Sequence, residues 1–198
     1  MCTAYRLGKR NGNFTKQLNQ TANQQLDAIN DTRLLRPTLD APVILPSGEI
    51  TNMRWGFSRD FSKAIVNSRE DKLESPMWNE AMNERRCLIP VAAYFEWSGP
   101  PGNKRTHHFF SPEANWLLIA GIWEKHPELG RCFSMVTTQP TGVVIGIHDR
   151  MPAVLSKNET DDFLNGELRT FQPACDLLLV EDSPNPLQKG KLIQGELF

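Results

Sequence analysis

The chain has 198 residues, of which 39% are hydrophobic and 23% charged, with a net charge of −1. That length holds one domain with a substantial core, and 5 Trp with 10 Phe exclude a disordered chain. A near-neutral balance gives no global argument for a polyanionic partner, and no apolar run is long enough to span a bilayer. No charged-then-apolar leader opens the chain, so a cytoplasmic protein is expected, monomeric and without membrane contact. Charge is nonetheless uneven: residues 1–110 carry 15 basic and 11 acidic side chains, residues 111–198 carry 7 and 12. The first half could therefore build a basic groove, although such a difference also arises by chance.

In chain order, Phe14, Leu18, Ala22, Leu26 and Ile29 recur at helical spacing and predict an amphipathic helix over 14–30. Pro37 and Pro42 break it. Strands are expected at 43–45 and 50–57 around a Pro46-Ser47-Gly48 turn, with Met53, Trp55 and Phe57 on one face and Asn52 and Arg54 on the other. Ser75-Pro76 reads as an N-cap and first helical position, opening a helix to about Asn83. A strand over 87–97 turns at Gly99-Pro100-Pro101-Gly102 into a partner at 106–110. Strands at 116–123 and 132–138 follow, and Ser156-x-x-Glu159 is a capping box for a helix to about Leu164. The order lacks βαβ alternation, which predicts a single α+β domain on mostly antiparallel sheets, with 181–198 as a surface tail.

Four cysteines (Cys2, Cys87, Cys132, Cys175) lie far apart with no C-x-x-C spacing, so no metal site is expected. Cys87 and Cys132 sit in apolar runs and read as core. Cys2 differs. Methionine aminopeptidase removes Met1 when the next side chain is small, leaving an α-amine and a thiol on adjacent carbons. Such a 1,2-aminothiol condenses with an aldehyde to a Schiff base and closes to a thiazolidine; alone, however, a second-position cysteine is usually an ordinary residue.

Three other segments carry chemical interest. Strand alternation sets Glu96 on one face with Ala92 and Tyr94, where a carboxylate among aromatics would have a raised pKa suited to acid–base work. Read alone, the pattern favours a solvated face for it. His148, in Ile147-His148-Asp149-Arg150, stands at a strand end where Asp149 or a carbonyl could fix its tautomer; read alone, a structural histidine satisfied by hydrogen bonds fits better. His107, His108 and His126 lack that context and read as hairpin or surface residues. Asn67 offers a donor and an acceptor, and Arg69 a fork suited to phosphate, or else a salt-bridged turn. Arg54-Trp55 pairs a cation with an aromatic face, as single-strand binders do, though a core tryptophan fits the pattern too.

Taken together, Met1-Cys2, Trp55-Gly56, Asn67-x-Arg69-Glu70, Phe95-Glu96-Trp97 and Ile147-His148-Asp149-Arg150-x-Pro152 resemble the SOS-response-associated peptidase (SRAP) family. The resemblance runs from Cys2 to about Leu164. It implies a pseudo-barrel and covalent shielding of abasic sites in single-stranded DNA, without metal or organic cofactor. It further implies that Cys2 crosslinks, Glu96 transfers protons, His148 assists ring opening and reversal, and Asn67 positions cysteine and sugar. Arg69 would hold a phosphate, and Arg54 and Trp55 would line the strand path. Thr3-Ala4 replaces the family's usual Gly-Arg, and the tail after Leu178 matches poorly. A Cys–His–Glu set also suits a cysteine peptidase acting on its own N-terminus. A non-covalent single-strand binder is the third possibility.

Overall fold

The computed structural model describes residues 2–8, 20–29, 31–172 and 178–187. Its strands are β1 (Tyr5–Arg6), β2 (Leu34–Leu35), β3 (Asp40–Ile44), β4 (Ile50–Trp55), β5 (Phe57–Arg59), β6 (Ser62–Ile65), β7 (Asn67–Arg69), β8 (Arg86–Val91), β9 (Ala93–Ser98), β10 (Arg105–Phe110), β11 (Leu117–His126), β12 (Gly130–Thr138), β13 (Met151–Pro152), β14 (Val154–Leu155) and β15 (Leu179–Ser183). The α-helices among the described residues are α1 (Gln20–Asp27), α2 (Asn79–Glu84) and α3 (Lys157–Asn165).

Five strands close on themselves in the order β12-β4-β3-β8-β11, because β11 and β12 also pair with each other. Closure removes the unpaired edges an open sheet would expose. All contacts round this ring are antiparallel except β4 with β12, which run parallel. A second, antiparallel sheet has the order β15-β10-β9-β1-β2. The α+β pseudo-barrel expected from the sequence is the architecture found.

The barrel interior explains the apolar runs. Every residue of β8 is buried, as a strand covered on both faces requires. Pro90 is tolerated there because β3 pairs with β8 only at Leu88, leaving Pro90 opposite Leu118 of β11 alone. Trp55 is wholly buried; it stacks on Phe133 with centroids 6.4 Å apart, and Tyr5 meets it edge-on at 4.8 Å.

Several boundaries differ from expectation for physical reasons. The 87–97 strand is two strands: the chain leaves the barrel at Ala92, whose N–H donates to Arg6 O at 2.9 Å, and continues in the second sheet. Ser75-Pro76 forms a turn, and α2 begins only at Asn79. Trp78, buried against Phe57 at 5.3 Å, has non-helical backbone angles, so its anchoring sets the start. The first part of the 14–30 helix lies outside the described residues. Glu181–Ser183 belong not to a tail but to β15, paired with β10; residues 188–198 lie outside the description. The α3 capping box is present, with Ser156 N–H donating to Glu159 Oε2 at 2.8 Å.

Gly56 lets one line of chain serve the barrel twice. β4 and β7 both run parallel to β12, meeting Cys132–Phe133 and Met135–Thr137, with the β5–β6 hairpin looped out between them. The kink needs φ +118° at Gly56, and a Cβ there would stand 3.2 Å from the Ala64 main chain. Gly56→Ala is therefore expected to cost roughly 1–3 kcal/mol of stability, read from denaturant unfolding. An unchanged midpoint would mean that the kink relaxes freely.

Candidate active site

The C-terminal end of β12 is where distant segments converge. On one side it pairs with β7, which carries Asn67 and Arg69; on the other it pairs with β13, which follows His148-Asp149-Arg150. From the second sheet, β9 supplies Glu96, and β1 lies antiparallel against it with Tyr5 opposite Tyr94. Phe95 N–H donates to Ala4 O at 3.0 Å, so the same antiparallel course brings Cys2 toward Glu96.

Cys2 is wholly buried. Asn67 Nδ2 donates to its carbonyl oxygen at 3.0 Å, and its thiol donates to Ala4 O at 3.4 Å. Burial pushes the thiol pKa well up, and the nearby Glu96 charge adds to that. Such a sulfur is a poor preformed thiolate and reacts only when a base takes its proton. Asn67 is 9% exposed, and its Oδ1 has no partner among the described residues, leaving an acceptor for a substrate or amine hydrogen.

Glu96 is 1% exposed, not solvated, and burial pushes its pKa up to about 7. Both protonation states are then populated near neutrality, the condition in which one carboxyl can give and take a proton. His148 Nε2 stands 3.8 Å from Glu96 Oε2. Burial lowers the histidine pKa, which favours the neutral ring. Its Nδ1 faces two partners: Asp149 Oδ1 at 2.7 Å and the Arg150 N–H at 3.1 Å. Nδ1–H would donate to Asp149 and leave Nε2 as the acceptor; bare Nδ1 would accept from Arg150 and put the proton on Nε2, facing Glu96. The surroundings therefore support both tautomers, as a proton shuttle needs.

The structure thus brings Cys2, Asn67, Glu96 and His148 together. Arg69 lies beside them at the end of β7, half exposed, with Nε and Nη2 on Asp71 at 3.0 and 2.8 Å. An ion pair this exposed is weak and readily exchanged for another anion. Arg54 donates to the carbonyls of Gly56 and Lys63, which ties the β5–β6 hairpin to β4 rather than to the Cys2 cluster. Trp55 requires a correction. Its indole N–H donates to Val66 O at 3.1 Å inside the core, so it offers no face on which a base could stack.

Two contributors were not singled out in the sequence. Arg150, 6% exposed, donates to Thr137 O and lies 3.6 Å from Asp71, holding the His148 loop against β12. Its place directly after His148-Asp149 was the available signal. Glu70, within the Asn67-x-Arg69-Glu70 motif, accepts from Thr138 Oγ1 at 2.6 Å and from Phe171 N–H at 2.8 Å. It clamps the C-terminal segment to the end of β12. His107, read as a hairpin or surface residue, does lie in the β9–β10 hairpin, but buried rather than at the surface.

A model of the SOS response associated peptidase (SRAP) family matches residues 1–188. The chain is 28% identical over 131 residues to the abasic site processing protein YoqW of Bacillus subtilis, covering 60% of this chain and 58% of that protein. It is 26% identical over 151 residues to YoaM of the same organism, also named an abasic site processing protein, covering 69% and 66%. An abasic site processing protein of Saccharomyces cerevisiae is 30% identical over 134 residues, covering 61% of this chain and 36% of that one. The matched stretch thus spans little more than half of YoqW and about a third of the yeast protein. Among solved structures, a Bacteroides thetaiotaomicron protein superposes with a TM-score of 0.70 at 20% identity, covering 93% of both chains. A Bordetella bronchiseptica protein gives 0.69 at 18%, covering 93% of this chain and all of that one. At those identities the likeness establishes the fold, while the family model, running from residue 1 to residue 188, establishes kinship: this chain belongs to the SOS response associated peptidase family.

Proposed function

We propose that this chain, once Met1 is removed, binds single-stranded DNA and forms a thiazolidine crosslink between Cys2 and the aldehyde of an abasic site. The observation that carries the reading is a second-position cysteine anchored through its own carbonyl by Asn67, beside a buried carboxyl poised near pH 7. Loss of residue 1 exchanges an amide nitrogen at Cys2 for an amine.

The chemistry then balances. The amine adds to the aldehyde carbon, and water leaves with a proton from Glu96, giving an iminium. The thiol surrenders its proton to the Glu96 carboxylate as sulfur bonds to the same carbon, and the nitrogen keeps its remaining hydrogen as a neutral ring amine. One water is lost overall. His148 passes protons to and from the sugar oxygen during ring opening and reversal. Closing the ring removes the iminium, which would otherwise acidify the neighbouring sugar C–H and invite strand cleavage by β-elimination.

A thiol peptidase would need only sulfur, ideally as a thiolate, and burial opposes that state here. A simple binder would hold intact strands as well as abasic ones and leave no covalent product. The test is an abasic single strand mixed with the protein, followed by denaturing electrophoresis: a retarded band appears only with the abasic strand. Its absence at protein concentrations that bind the strand favours the simple binder.

Arg69 would hold a flanking phosphate. Arg69→Ala is expected to weaken intact and abasic strands alike and to reduce the salt dependence of binding by about one phosphate contact. Equal affinities for wild type and variant across a salt series would remove Arg69 from the strand path.

A further inference from the structure

The face of the second sheet that carries Glu96 also carries a second polar cluster, which adjoins it. Its register sets Glu96, His107 and Asp182 in one row across β9, β10 and β15, with Ser98 and Arg105 paired in the next row. Ser98 is therefore a diagonal cross-strand neighbour of His107, within reach of a long side chain. Ser98 Oγ lies 2.7 Å from His107 Nε2, and Asp182 Oδ1 lies 3.5 Å from His107 Nδ1. His107 is 8% exposed, while Ser98 is partly exposed and Asp182 largely so. Arg105 donates to the other oxygen of Asp182. An open groove lined by Lys104, Arg105, Thr106, Asp182, Ser183 and Asn185 lies along this edge.

We propose that Ser98, His107 and Asp182 form a second reactive site, an acyl-transfer centre for small, negatively charged esters that works without Cys2. A hydroxyl within hydrogen-bond reach of an imidazole that is itself oriented by a carboxylate is the general pattern of an activated nucleophile. With the ring proton on Nδ1, 3.5 Å from Asp182 Oδ1, Nε2 accepts the Ser98 hydroxyl hydrogen. Lys104 and Arg105 give the adjoining groove two cations, which suit an anionic substituent on the ester.

In the acylation step Ser98 Oγ bonds to the carbonyl carbon and its proton passes to His107 Nε2. The ester C–O bond then breaks, and the departing alcohol takes that proton. Water repeats the sequence in reverse, giving up its proton through His107 to Ser98 and releasing the acid. The reaction consumes one ester and one water and needs no other reactant.

The test uses the full chain carrying Cys2→Ala, so that the N-terminal thiol cannot contribute. A fluorophosphonate probe is applied and the modified peptide mapped by mass spectrometry, and hydrolysis of para-nitrophenyl hydrogen succinate is followed in parallel. The expected results are a label on Ser98, and hydrolysis that falls about 100-fold or more in Ser98→Ala and in His107→Gln. Asp182→Asn, at a largely exposed position, should lower both readouts while the melting temperature holds. The anionic ester should be preferred over neutral para-nitrophenyl acetate. Should His107→Gln fail to fold, the Ser98→Ala and Asp182→Asn pair decides the matter. Absence of label at Ser98, or labelling and hydrolysis unchanged in Asp182→Asn, overturns the proposal and leaves the three residues as a structural hydrogen-bond cluster.

Discussion

Cys2→Ala is expected to leave no covalent product with an abasic strand, while non-covalent binding to intact strands persists. The methyl side chain cannot close a ring, so any adduct stops at a hydrolysable iminium. Cys2→Ser separates the two steps further. Its amine still condenses, but an oxazolidine closes far less favourably than a thiazolidine, so the adduct should be labile and captured only by borohydride. Cys2 is buried and bonded through its main chain, and both variants leave the Asn67 bond to its carbonyl in place, so loss of crosslinking would report chemistry rather than unfolding. A stable, reduction-independent adduct with Cys2→Ala would assign the reaction to another nucleophile.

Glu96→Gln should slow crosslinking by about 10²–10⁴-fold, the usual range for a general acid–base group, while making the protein relatively more stable at high pH. The two effects together discriminate. Because burial raises the folded-state pKa from 4.5 to about 7, the folded protein holds a proton through that interval that the unfolded chain has released. Wild-type stability therefore falls as pH rises from about 4.5 to 7, and what protonation contributed is gone above the folded pKa. Glutamine has no such proton, so the variant should gain on wild type across the same window in denaturant unfolding. A purely structural Glu96 would lose rate and stability together at every pH. Unchanged crosslinking in Glu96→Gln would falsify its assigned role.

How much of this was legible depended on whether the deciding interaction was local. The α3 capping box could be read directly because Ser156 and Glu159 meet within one turn. Alternation set Met53, Trp55 and Phe57 on one face, but could not tell a core indole from a stacking platform. The answer lay in Val66, eleven residues further on, whose carbonyl takes the indole N–H. Glu96 shows the same limit: period two assigns its face, yet what buries that face comes from elsewhere in the chain, with His148 standing 3.8 Å from its carboxylate. Closure of the barrel was expected only from the family resemblance and could not be read from the strand pattern itself, because it rests on β12 pairing with β4 and β11 at once. The segments carrying Cys2, Asn67, Glu96 and His148 converge on β9 or on the end of β12, yet the site motifs were readable as a set only through their resemblance to a known family. The cluster at Ser98, His107 and Asp182 was not, since Asp182 joins it only through the pairing of β15 with β10.

The most direct measurement of the central claim is the intact mass of the purified protein before and after mixing with an abasic single-stranded oligonucleotide. The account predicts that the protein begins at Cys2, lighter than the full sequence by one methionine residue. It predicts that the adduct weighs the sum of that protein and the oligonucleotide less one water. A protein that crosslinks while still carrying Met1, or an adduct that keeps the water, would contradict the aminothiol mechanism.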